Sequence, residues 1–502
     1  MDLIVKKKNE ATAYVECEPS VGRELSEFFT FYAPGYKFMP AYKNKMWDGK
    51  IRLYDGHKKT LPIGLTAYLS EFADAREYNI QYESNERYGL PQTQSEVDIS
   101  FMDNIKLSTK GNIITPYDYQ LNAVQYALTR HRGVLLSPTA SGKSLIIYLM
   151  IRWYLQNSDK DVIIIVPTTS LVEQMYSDFI DYAQYDDFDV ETITHKIYSG
   201  KDKFTKNNRI VVTTWQSIYK LQTPWFERFG MVVGDEAHNF KAKSLTAIMN
   251  KCTEAKYRIG TTGTLDGSQV HQLVLEGLFG PIHKVITTKE LMQQDTIAQL
   301  DITVLVLKYM DEYRKGMVKK KYQDEIDFIV GHQPRNNFIR NLAIDQDGNT
   351  LILYNYVEKH GKPLYNLIKD KLDSNPRVQR KVFFVSGATD VDARENIRSI
   401  TEKETDAIIV ASLGTFSTGI NIRNLHNIVF ASPSKSQIKV LQSIGRGLRK
   451  ADNERATSLF DIADDLQWKR NKNYTLEHAA VRISMYTKEH FNYKIYEVDL
   501  PK

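Results

Sequence analysis

Residues 133–144 decide the fold, and they read GVLLSPTASGKS. The apolar run Gly133–Leu136 is typical of a buried strand, and an amphipathic run begins at Leu145. A strand, a short loop and a helix in this order direct backbone N–H groups and a helix N-terminus at one point, which favours an anion. The segment therefore predicts a phosphate-binding loop in a parallel α/β domain.

Four residues of this loop are candidate nucleotide ligands: Ser141, Gly142, Lys143 and Ser144. Lys143 is expected to reach the β- and γ-phosphates, and the Ser144 hydroxyl is expected to coordinate Mg²⁺. The usual pattern opens with glycine where this chain has Ser137, but Gly-Lys-Ser keeps its place between strand and helix. We therefore expect ATP and Mg²⁺ as cofactors.

Two adjacent acids, Asp235 and Glu236, follow the apolar run Met231–Val233. Acids at the carboxyl end of a parallel strand lie where ligands bind in such sheets. Asp235 is expected to hold Mg²⁺ through its water shell, and Glu236 to orient and deprotonate the attacking water. Taken alone, the sequence Asp-Glu-Ala-His is more often a solvated helix start. Together with Lys143 it predicts ATP hydrolysis.

From about Thr115 onward, short β-branched runs alternate with longer amphipathic stretches, the pattern of a parallel sheet whose strands are covered on both faces. A first set of five runs comprises 133–136, 162–166, 210–212, 231–233 and 257–259, and a second set comprises 351–354, 382–385, 407–410, 427–430 and 459–462. The polar stretch Thr287–Gln299 separates the sets. We predict two tandem parallel-sheet domains with a boundary near residues 285–300.

Residues 1 to about 110 follow another pattern, in which aromatic and basic residues alternate between Phe31 and Lys59. The pairs Pro34-Gly35, Asp48-Gly49 and Asp55-Gly56 are spaced like hairpin turns. This predicts a small, independent α+β domain. Its aromatics are either simply its core, with the lysines on a solvated face, or part of a nucleic-acid surface. The candidate contacts in the second interpretation are Lys43, Lys45, Trp47, Lys50 and Arg52.

Length and composition exclude several classes of protein. The 502 residues suffice for about three domains, and 42% hydrophobic with 25% charged residues is an ordinary globular composition. The longest apolar run, Val162–Val166, is far shorter than the roughly 20 residues that span a bilayer. The N-terminus has three lysines after a very short apolar stretch, unlike a secretory signal. We therefore expect a cytoplasmic protein with no membrane partner.

Cysteine content and net charge exclude fewer classes of protein than length and composition do. Cys17 and Cys252 stand alone, which argues against a disulfide framework and a thiolate metal site. The net charge of +5 is compatible with nucleic acid, but many enzymes are as basic.

A second arginine-containing segment, 442–449, reads QSIGRGLR and falls in the second predicted domain. Arg446 and Arg449 are three residues apart, so they share one helix face. Placed against the γ-phosphate they would act as arginine fingers, worth about 10³ to 10⁵ in rate, and hydrolysis would then require the two domains to close. The alternative is a surface helix with two solvated arginines.

Further motifs occur in a fixed order between about 115 and 465. They are Tyr119-Gln120, Val166–Gln174, Thr213–Ser217, Gly260–Thr264, Ser417–Asn421 and Gln442–Arg449. With the loop at 137–144 and the acids at 235–236, this order resembles that of superfamily 2 helicases and translocases, as motifs Q, Ia, Ic, III, V and VI. The resemblance implies two RecA-like domains with ATP bound between them and a nucleic-acid strand lying across both.

The same resemblance implies roles for individual residues. Tyr119 and Gln120 are expected to contact the adenine. The expected strand contacts are Thr168, Thr214, Gln216 and Thr418. The residues expected to link hydrolysis to strand movement are His238, Thr262, Thr264 and Gln442.

A narrower resemblance covers nearly the whole chain. The segments Gly35–Phe38, Trp47–Leu53 and Leu61–Leu65, with the chain length, are similar to those of the recombination helicases of T-even-type phages. This implies unwinding and remodelling of Holliday junctions, replication forks and R-loops, with DNA as partner, RNA within R-loops, and a monomer in the absence of DNA. The expected domains are 1–105 (substrate-engaging), 106–290 (ATP-binding, RecA-like) and 291–502 (RecA-like, with a C-terminal helical extension).

Three other functions stay open on these residues. The motor subunit of a restriction complex has related chemistry, although no nuclease constellation of Asp, Glu and Lys is evident and the N-terminal domain leaves little room for one. An RNA helicase is compatible with the core motifs. An ATP-gated binding switch needs neither the base Glu236 nor the fingers, so those residues argue against it.

Overall fold

The computed structural model describes residues 2–83, 96–138, 141–198, 200–203, 208–265, 268–294, 300–374, 380–386, 403–413, 424–432, 457–488 and 491–501. The chain divides into two compact units, one built from residues 1–137 and 141–286 and one that includes residues 287–502. Each unit is built on a seven-stranded sheet in which every pairing is parallel.

The first unit begins with a small α+β portion that holds two short sheets. Its elements are β1 (Leu3–Lys7), β2 (Thr12–Cys17), α1 (Pro19–Phe28), β3 (Thr30–Tyr32), α2 (Pro40–Lys43), β4 (Lys50–Arg52), β5 (Thr60–Pro62), α3 (Ala67–Asp74) and β6 (Ile80–Tyr82). Short 3-10 helices cover Tyr36–Phe38 and Ile63–Leu65. The strand order β5-β2-β1-β6 forms one sheet, and β3 pairs with β4 antiparallel. The predicted α+β class of this portion is confirmed.

The rest of the first unit is a parallel α/β sheet in the order β11-β12-β10-β13-β14-β9-β15. A 3-10 turn (Ser100–Asn104) and the β7–β8 ribbon (Ser108–Thr109, Asn112–Ile113) precede it. Its strands are β9 (Arg132–Leu136), β10 (Asp161–Val166), β11 (Thr194–Ile197), β12 (Ile210–Thr214), β13 (Phe229–Asp235), β14 (Tyr257–Thr262) and β15 (Ile282–Lys284). Its helices are α4 (Asp118–Arg130), α5 (Lys143–Asn157), α6 (Thr169–Ala183), α7 (Val190–Ile193), α8 (Trp215–Ile218), α9 (Thr223–Phe226), α10 (Lys243–Lys251) and α11 (Gln269–Phe279), with a 3-10 turn at Ala237–Lys241.

The apolar run of β10 shows why this sheet needs helices on both faces. Val162, Ile164 and Val166 pack into one hydrophobic core, and Ile163 and Ile165 pack into another. Successive side chains of a strand point to opposite faces, so an uninterrupted apolar run fills two cores at once.

The second unit has the strand order β18-β19-β17-β20-β21-β16-β22. The strands are β16 (Leu300–Lys308), β17 (Thr350–Tyr354), β18 (Lys381–Val385), β19 (Ala407–Ser412), β20 (Asn427–Phe430), β21 (Thr457–Asp465) and β22 (Tyr493–Asp499). The helices are α12 (Thr288–Gln293), α13 (Asp311–Gly316), α14 (Tyr322–Gly331), α15 (Gln333–Ile344), α16 (Lys362–Asp373) and the C-terminal helix Tyr474–Lys488, with a π-turn at Val357–Gly361.

All ten strands predicted from apolar runs are strands in the structure, so the predicted fold class, two tandem RecA-like parallel-sheet domains behind a small N-terminal α+β domain, is confirmed. The edge strands β11 and β15 and the strands β16 and β22 were not predicted. The C-terminal extension was predicted to be helical. In fact its helix is followed by β22, which pairs with β16 and extends the sheet. Alternating exposure along β22 gives no continuous apolar run, which is why the pattern missed it.

Candidate active site

The predicted phosphate loop lies between β9 and α5, as its sequence requires. Gly142 precedes the helix with φ +76°, a left-handed conformation that glycine adopts without strain. The Lys143 Nζ donates a hydrogen bond to the Ser137 carbonyl at 3.2 Å, and the Ser137 and Ser141 hydroxyls are 2.5 Å apart. These contacts tie Ser141 and Lys143 to Ser137, the residue that follows β9, and α5 begins directly after Gly142.

The side-chain amide of Gln120 holds the backbone of this loop. Its Oε1 accepts a hydrogen bond from the Tyr117 N–H at 2.9 Å, and its Nε2 donates to the Ser141 carbonyl at 3.0 Å. The Tyr119 hydroxyl donates to the same carbonyl at 3.2 Å, and its ring stacks on Tyr117. Gln120 is buried, so its amide fixes the loop backbone. The adenine contacts expected of Tyr119 and Gln120 stay a prediction.

Ser144, the expected magnesium ligand, occupies the second position of α5. Its hydroxyl is 2.9 Å from the hydroxyl of Tyr182 on α6. The side chain is therefore held beside the loop by a partner from a distant part of the chain.

Asp235 is the last residue of β13, and Glu236 follows it directly. In the sheet, β14 lies between β13 and β9, the strand that leads into the phosphate loop. Asp235 is buried, and its Oδ1 accepts a hydrogen bond from the Thr261 hydroxyl at 2.8 Å. Burial and the adjacent Glu236 carboxylate raise the pKa of Asp235, against the opposing effect of Lys143. Glu236 itself has φ +50°, an uncommon conformation for a residue with a side chain.

Glu236 is linked to the next strand through a short chain of polar side chains. The His238 Nδ1 is 3.3 Å from the Glu236 Oε2 and 3.0 Å from the Thr262 hydroxyl. The Thr262 hydroxyl donates to the Thr264 carbonyl at 3.0 Å, and the Thr262 carbonyl accepts from the Ser137 N–H at 2.9 Å. Of the four residues predicted to couple hydrolysis to movement, His238 and Thr262 therefore join Glu236 to the start of the phosphate loop, and Thr264 is bonded to Thr262.

Helix α11 follows these residues and contacts two regions. Near its start, the His271 Nε2–H donates to the His238 carbonyl at 2.9 Å. Farther along, Leu273 packs into the N-terminal hydrophobic core, and the Glu276 carboxylate accepts a hydrogen bond from the Tyr68 hydroxyl. One helix thus touches both the His238 loop and the N-terminal portion.

A second contact joins the N-terminal portion to the parallel sheet. Arg132, buried at the start of β9, donates to the Glu10 carboxylate at 2.8 Å and to the Glu10 carbonyl at 2.6 Å. Burial raises the pKa of Glu10, but Arg132 and Lys7 outweigh it and hold the net value below the ordinary one. The N-terminal portion was predicted to be independent. The structure differs, because the hydrophobic core of the N-terminal portion includes Leu273 of α11, and its Glu10 pairs with Arg132 of β9.

The predicted strand contacts of the first unit follow β10 and β12. Thr168 caps α6 by accepting from the Leu171 N–H at 3.3 Å, and the Thr214 hydroxyl is 2.9 Å from that of Ser217. Gln216 is exposed on α8. Because both strands are parallel, these residues lie at the carboxyl edge of the sheet.

The five N-terminal residues predicted to contact nucleic acid differ in their exposure and in their partners. Lys43 and Lys45 are exposed, and no ion pair is found for either within the described residues. Lys50 lies over the Tyr32 ring at 5.3 Å, and Arg52 is paired with Asp48. The Trp47 indole donates to the Lys50 carbonyl at 2.9 Å, which marks Trp47 as a support of the β3–β4 hairpin.

Aromatic residues around these cations are partly core and partly surface. Tyr32 stacks on Tyr36 with ring centroids 4.6 Å apart, and Tyr36 packs edge-on against Tyr42. Phe38 and Met46 are 80% and 82% exposed. The core interpretation therefore holds for Tyr54, which is 3% exposed and lies in the N-terminal hydrophobic core, and the nucleic-acid surface stays a prediction.

Four predicted site residues lie outside the described part of the chain: Thr418, Gln442, Arg446 and Arg449. Their expected roles stay predictions.

Sequence reasoning missed three side chains that hold the site. Thr261 was within the quoted segment Gly260–Thr264 but was not singled out. Tyr182 and His271 come from helices far along the chain, and nothing in their local sequence distinguishes them from ordinary helix residues.

Comparison with known proteins decides the family. Over 100% of both chains, the sequence is 35% identical to the ATP-dependent DNA helicase uvsW of Enterobacteria phage T4. The chain belongs to the UvsW family of helicases. Residues 2–83 match the family described as "DNA helicase UvsW, N-terminal". Residues 113–267 match "Type III restriction enzyme, res subunit", and residues 334–451 match "Helicase conserved C-terminal domain".

Structural likeness agrees with the UvsW assignment. The crystal structure of T4 UvsW covers 100% of both chains at 34% identity with a TM-score of 0.52. A more distant relative, the DNA 3'-5' translocase XPB2 of Sulfurisphaera tokodaii, is 23% identical over 84% of this chain and 92% of its own. This member of the UvsW family is an ATP-dependent DNA helicase of superfamily 2. Within the described residues, no helix is long and apolar enough to cross a membrane.

Proposed function

We propose that this helicase couples ATP hydrolysis to the unwinding and remodelling of branched DNA (Holliday junctions, replication forks and R-loops) in phage recombination, repair and replication. The observation that carries the proposal is helix α11. It touches the His238 loop at one end and holds the N-terminal portion through Leu273 and Glu276 at the other. A substrate bound to the N-terminal portion is therefore connected through α11 to the His238 loop, and His238 contacts Glu236.

The residues at the site fit ATP and Mg²⁺. Lys143 and the N–H groups at the start of α5 supply positive charge for phosphate oxygens. Ser144 and Asp235 supply the hydroxyl and carboxylate oxygens that Mg²⁺ prefers. Burial, and then the neighbouring Glu236 carboxylate, raise the pKa of Asp235, and a cation bound beside Asp235 would lower it. Bound ATP supplies the phosphoryl group that is cleaved.

The remaining roles belong to this chain's own side chains. Glu236 orients the attacking water and accepts its proton, and His238 with Thr262 fixes the Glu236 carboxylate. Arg446 and Arg449 are proposed as fingers from the second unit, and Gln442 with Thr264 as coupling residues. Thr168, Thr214, Gln216 and Thr418 are proposed strand contacts. We also propose the division at 105/106 and 290/291, a cytoplasmic location, and a monomer in the absence of DNA.

A substrate comparison tests this function. We expect ATPase stimulation to be largest with a four-way junction and smaller with linear duplex, single strands or RNA of equal nucleotide content. ATP turnover measured with these four nucleic acids in parallel, at one salt concentration, makes the comparison. Maximal stimulation by RNA would favour an RNA helicase, and equal stimulation by linear duplex would favour a restriction-type translocase. Either result would contradict the branched-DNA proposal.

The N-terminal cations give a second test. Replacing both Lys43 and Lys45 by glutamine should lower the salt slope of junction binding by about two, because each lost phosphate contact removes about 0.9 from that slope. Arg52→Gln should change the slope by less than one, because Asp48 already neutralises the guanidinium. The measurement is junction affinity against salt concentration.

Lys8→Gln/Arg23→Gln is the matched control, since both residues are exposed cations of the same portion outside the segment 31–59. Unchanged affinity and slope in the Lys43/Lys45 variant would assign these lysines to a solvated face.

A further inference from the structure

Two segments of the second unit carry a concentration of positive charge that none of the helicase motifs includes. Residues 314–321 read RKGMVKKK and residues 468–472 read WKRNK. Together they hold eight cations and no acid, whereas the whole chain has a net charge of only +5. The rest of the chain therefore carries a net negative charge. We call these two positively charged segments the basic face.

Side-chain contacts hold the two segments together. The Arg314 Nε donates to the Gln467 carbonyl at 2.7 Å, and the Lys315 Nζ lies over the Trp468 ring at 4.8 Å. Just beyond the segments, the rings of Tyr322 and Tyr474 meet edge-on at 5.9 Å. Cations 150 residues apart in sequence thus form one surface.

The buried carboxylate of Glu325 stabilises this arrangement of the two segments. Glu325, on α14, accepts hydrogen bonds from the N–H and the hydroxyl of Thr475, both at 2.7 Å, and from Asn473 at 3.0 Å. The helix that follows the first segment is therefore anchored to the start of the helix that follows the second.

Few acids are available to neutralise the basic face. Asp311 pairs with Arg314, and Asp465 pairs with Lys308 at 2.7 Å. Asp324 accepts from the Lys321 backbone N–H, and Glu312 is exposed. Among the described residues no ion pair is found for the seven remaining cations, all of which are exposed: Lys315, Lys319, Lys320, Lys321, Lys469, Arg470 and Lys472.

The basic face lies at the functional edge of its sheet. β16 ends at Lys308 and β21 ends at Asp465, and these two residues are partners in a parallel pairing. Both segments therefore start from the carboxyl edge, where β19 also ends at Ser412 ahead of the motif V sequence. Parallel sheets bind their ligands at this edge.

We propose that the basic face is a second nucleic-acid contact of this helicase, which binds the phosphate backbone without regard to sequence. This inference rests on the proposed function, because it concerns the same DNA substrate. The chemistry is that of counterion release: flexible, exposed lysines and arginines neutralise successive phosphates, and no base contact is required. Trp468 lies beneath two of the cations, Arg314 and Lys315, so its ring supports this surface.

Two triple variants test the proposal in the full-length protein. Lys319→Gln/Lys320→Gln/Lys321→Gln removes the first cluster, and Lys469→Gln/Arg470→Gln/Lys472→Gln removes the second. Each should weaken binding of a four-way junction about tenfold or more at low salt and lower the salt slope by about two to three. The readout is fluorescence anisotropy of a labelled junction across a salt series.

The matched control is Lys369→Gln/Lys371→Gln/Lys403→Gln, which removes the same charge from exposed positions of the same unit. Lys403 precedes β19 and so lies toward the amino edge of the sheet. This variant should bind like the wild type. DNA-free ATPase should be equal in all variants, which shows that they fold.

The outcomes separate this inference from the proposed function. If wild type is stimulated by junctions but both triple variants keep its affinity and slope, the basic face does not contact DNA and the inference falls alone. An equal loss in the control variant would also overturn it, because net charge and not position would then be responsible. If junctions neither bind nor stimulate the wild type, the proposed function itself fails.

Discussion

Lys143→Ala should weaken ATP binding by about 10- to 100-fold and abolish hydrolysis, whereas Glu236→Gln should keep ATP affinity within a few-fold and lower kcat by about 10² to 10⁴. The first change removes a charge-assisted contact to phosphate, worth about 1.5 to 3 kcal/mol. It also removes the hydrogen bond from Nζ to the Ser137 carbonyl that closes the loop. The second change removes only the water-activating base.

The two variants are separated by measuring nucleotide affinity and turnover independently. Titration with a fluorescent ATP analogue gives the affinity, and DNA-stimulated phosphate release gives kcat. Lys160 and Glu254 form an exposed ion pair at 2.9 Å elsewhere in the same unit, so Lys160→Ala and Glu254→Gln are matched controls. Equal loss of affinity in the Lys143 and Glu236 variants would contradict the roles assigned to them.

How far the sequence predicted this site depends on the distance between partners. The phosphate loop and the acid pair were located because each is a local pattern next to an apolar strand. The support of the Ser141 carbonyl by Gln120, and of Ser144 by Tyr182, joins elements separated by 21 and 38 residues. Such contacts exist only after the sheet has formed, and no local periodicity encodes them.

The N-terminal cations illustrate the same limit for charge. Four of them are equivalent in sequence, yet Arg52 is neutralised by Asp48, Lys50 covers Tyr32, and Lys43 and Lys45 are exposed. Composition counts charges, whereas only the fold shows which of them face solvent. The basic face of the second unit was not predicted, because its two segments are far apart in sequence and only the fold brings them together.

Gly64→Ala should release the N-terminal portion from helix α11. A Cβ at this position would lie 1.9 Å from the Glu276 carbonyl oxygen and 3.0 Å from the Gly277 carbonyl oxygen, so the backbone must move apart. Overpacking of this kind costs about 1 to 3 kcal/mol. The same movement breaks the hydrogen bond from the Tyr68 hydroxyl to the buried Glu276 carboxylate, a loss of about 1.5 to 3 kcal/mol.

Together these costs come to about 3 kcal/mol or more, which corresponds to about 100-fold in a local opening equilibrium. Hydrogen exchange should therefore speed up by about that factor in residues 61–69 and 269–279, while the amides of β10 and β12 stay protected. Gly22→Ala is the matched control in the same portion, because its Cβ would meet only the Cys17 Sγ at an ordinary 3.5 Å. Tyr68→Phe isolates the hydrogen bond and should give a smaller acceleration in the same segments. If Gly64→Ala leaves exchange there at the wild-type rate, the N-terminal portion is held by the Arg132–Glu10 pair and its neighbours, and α11 is not its anchor.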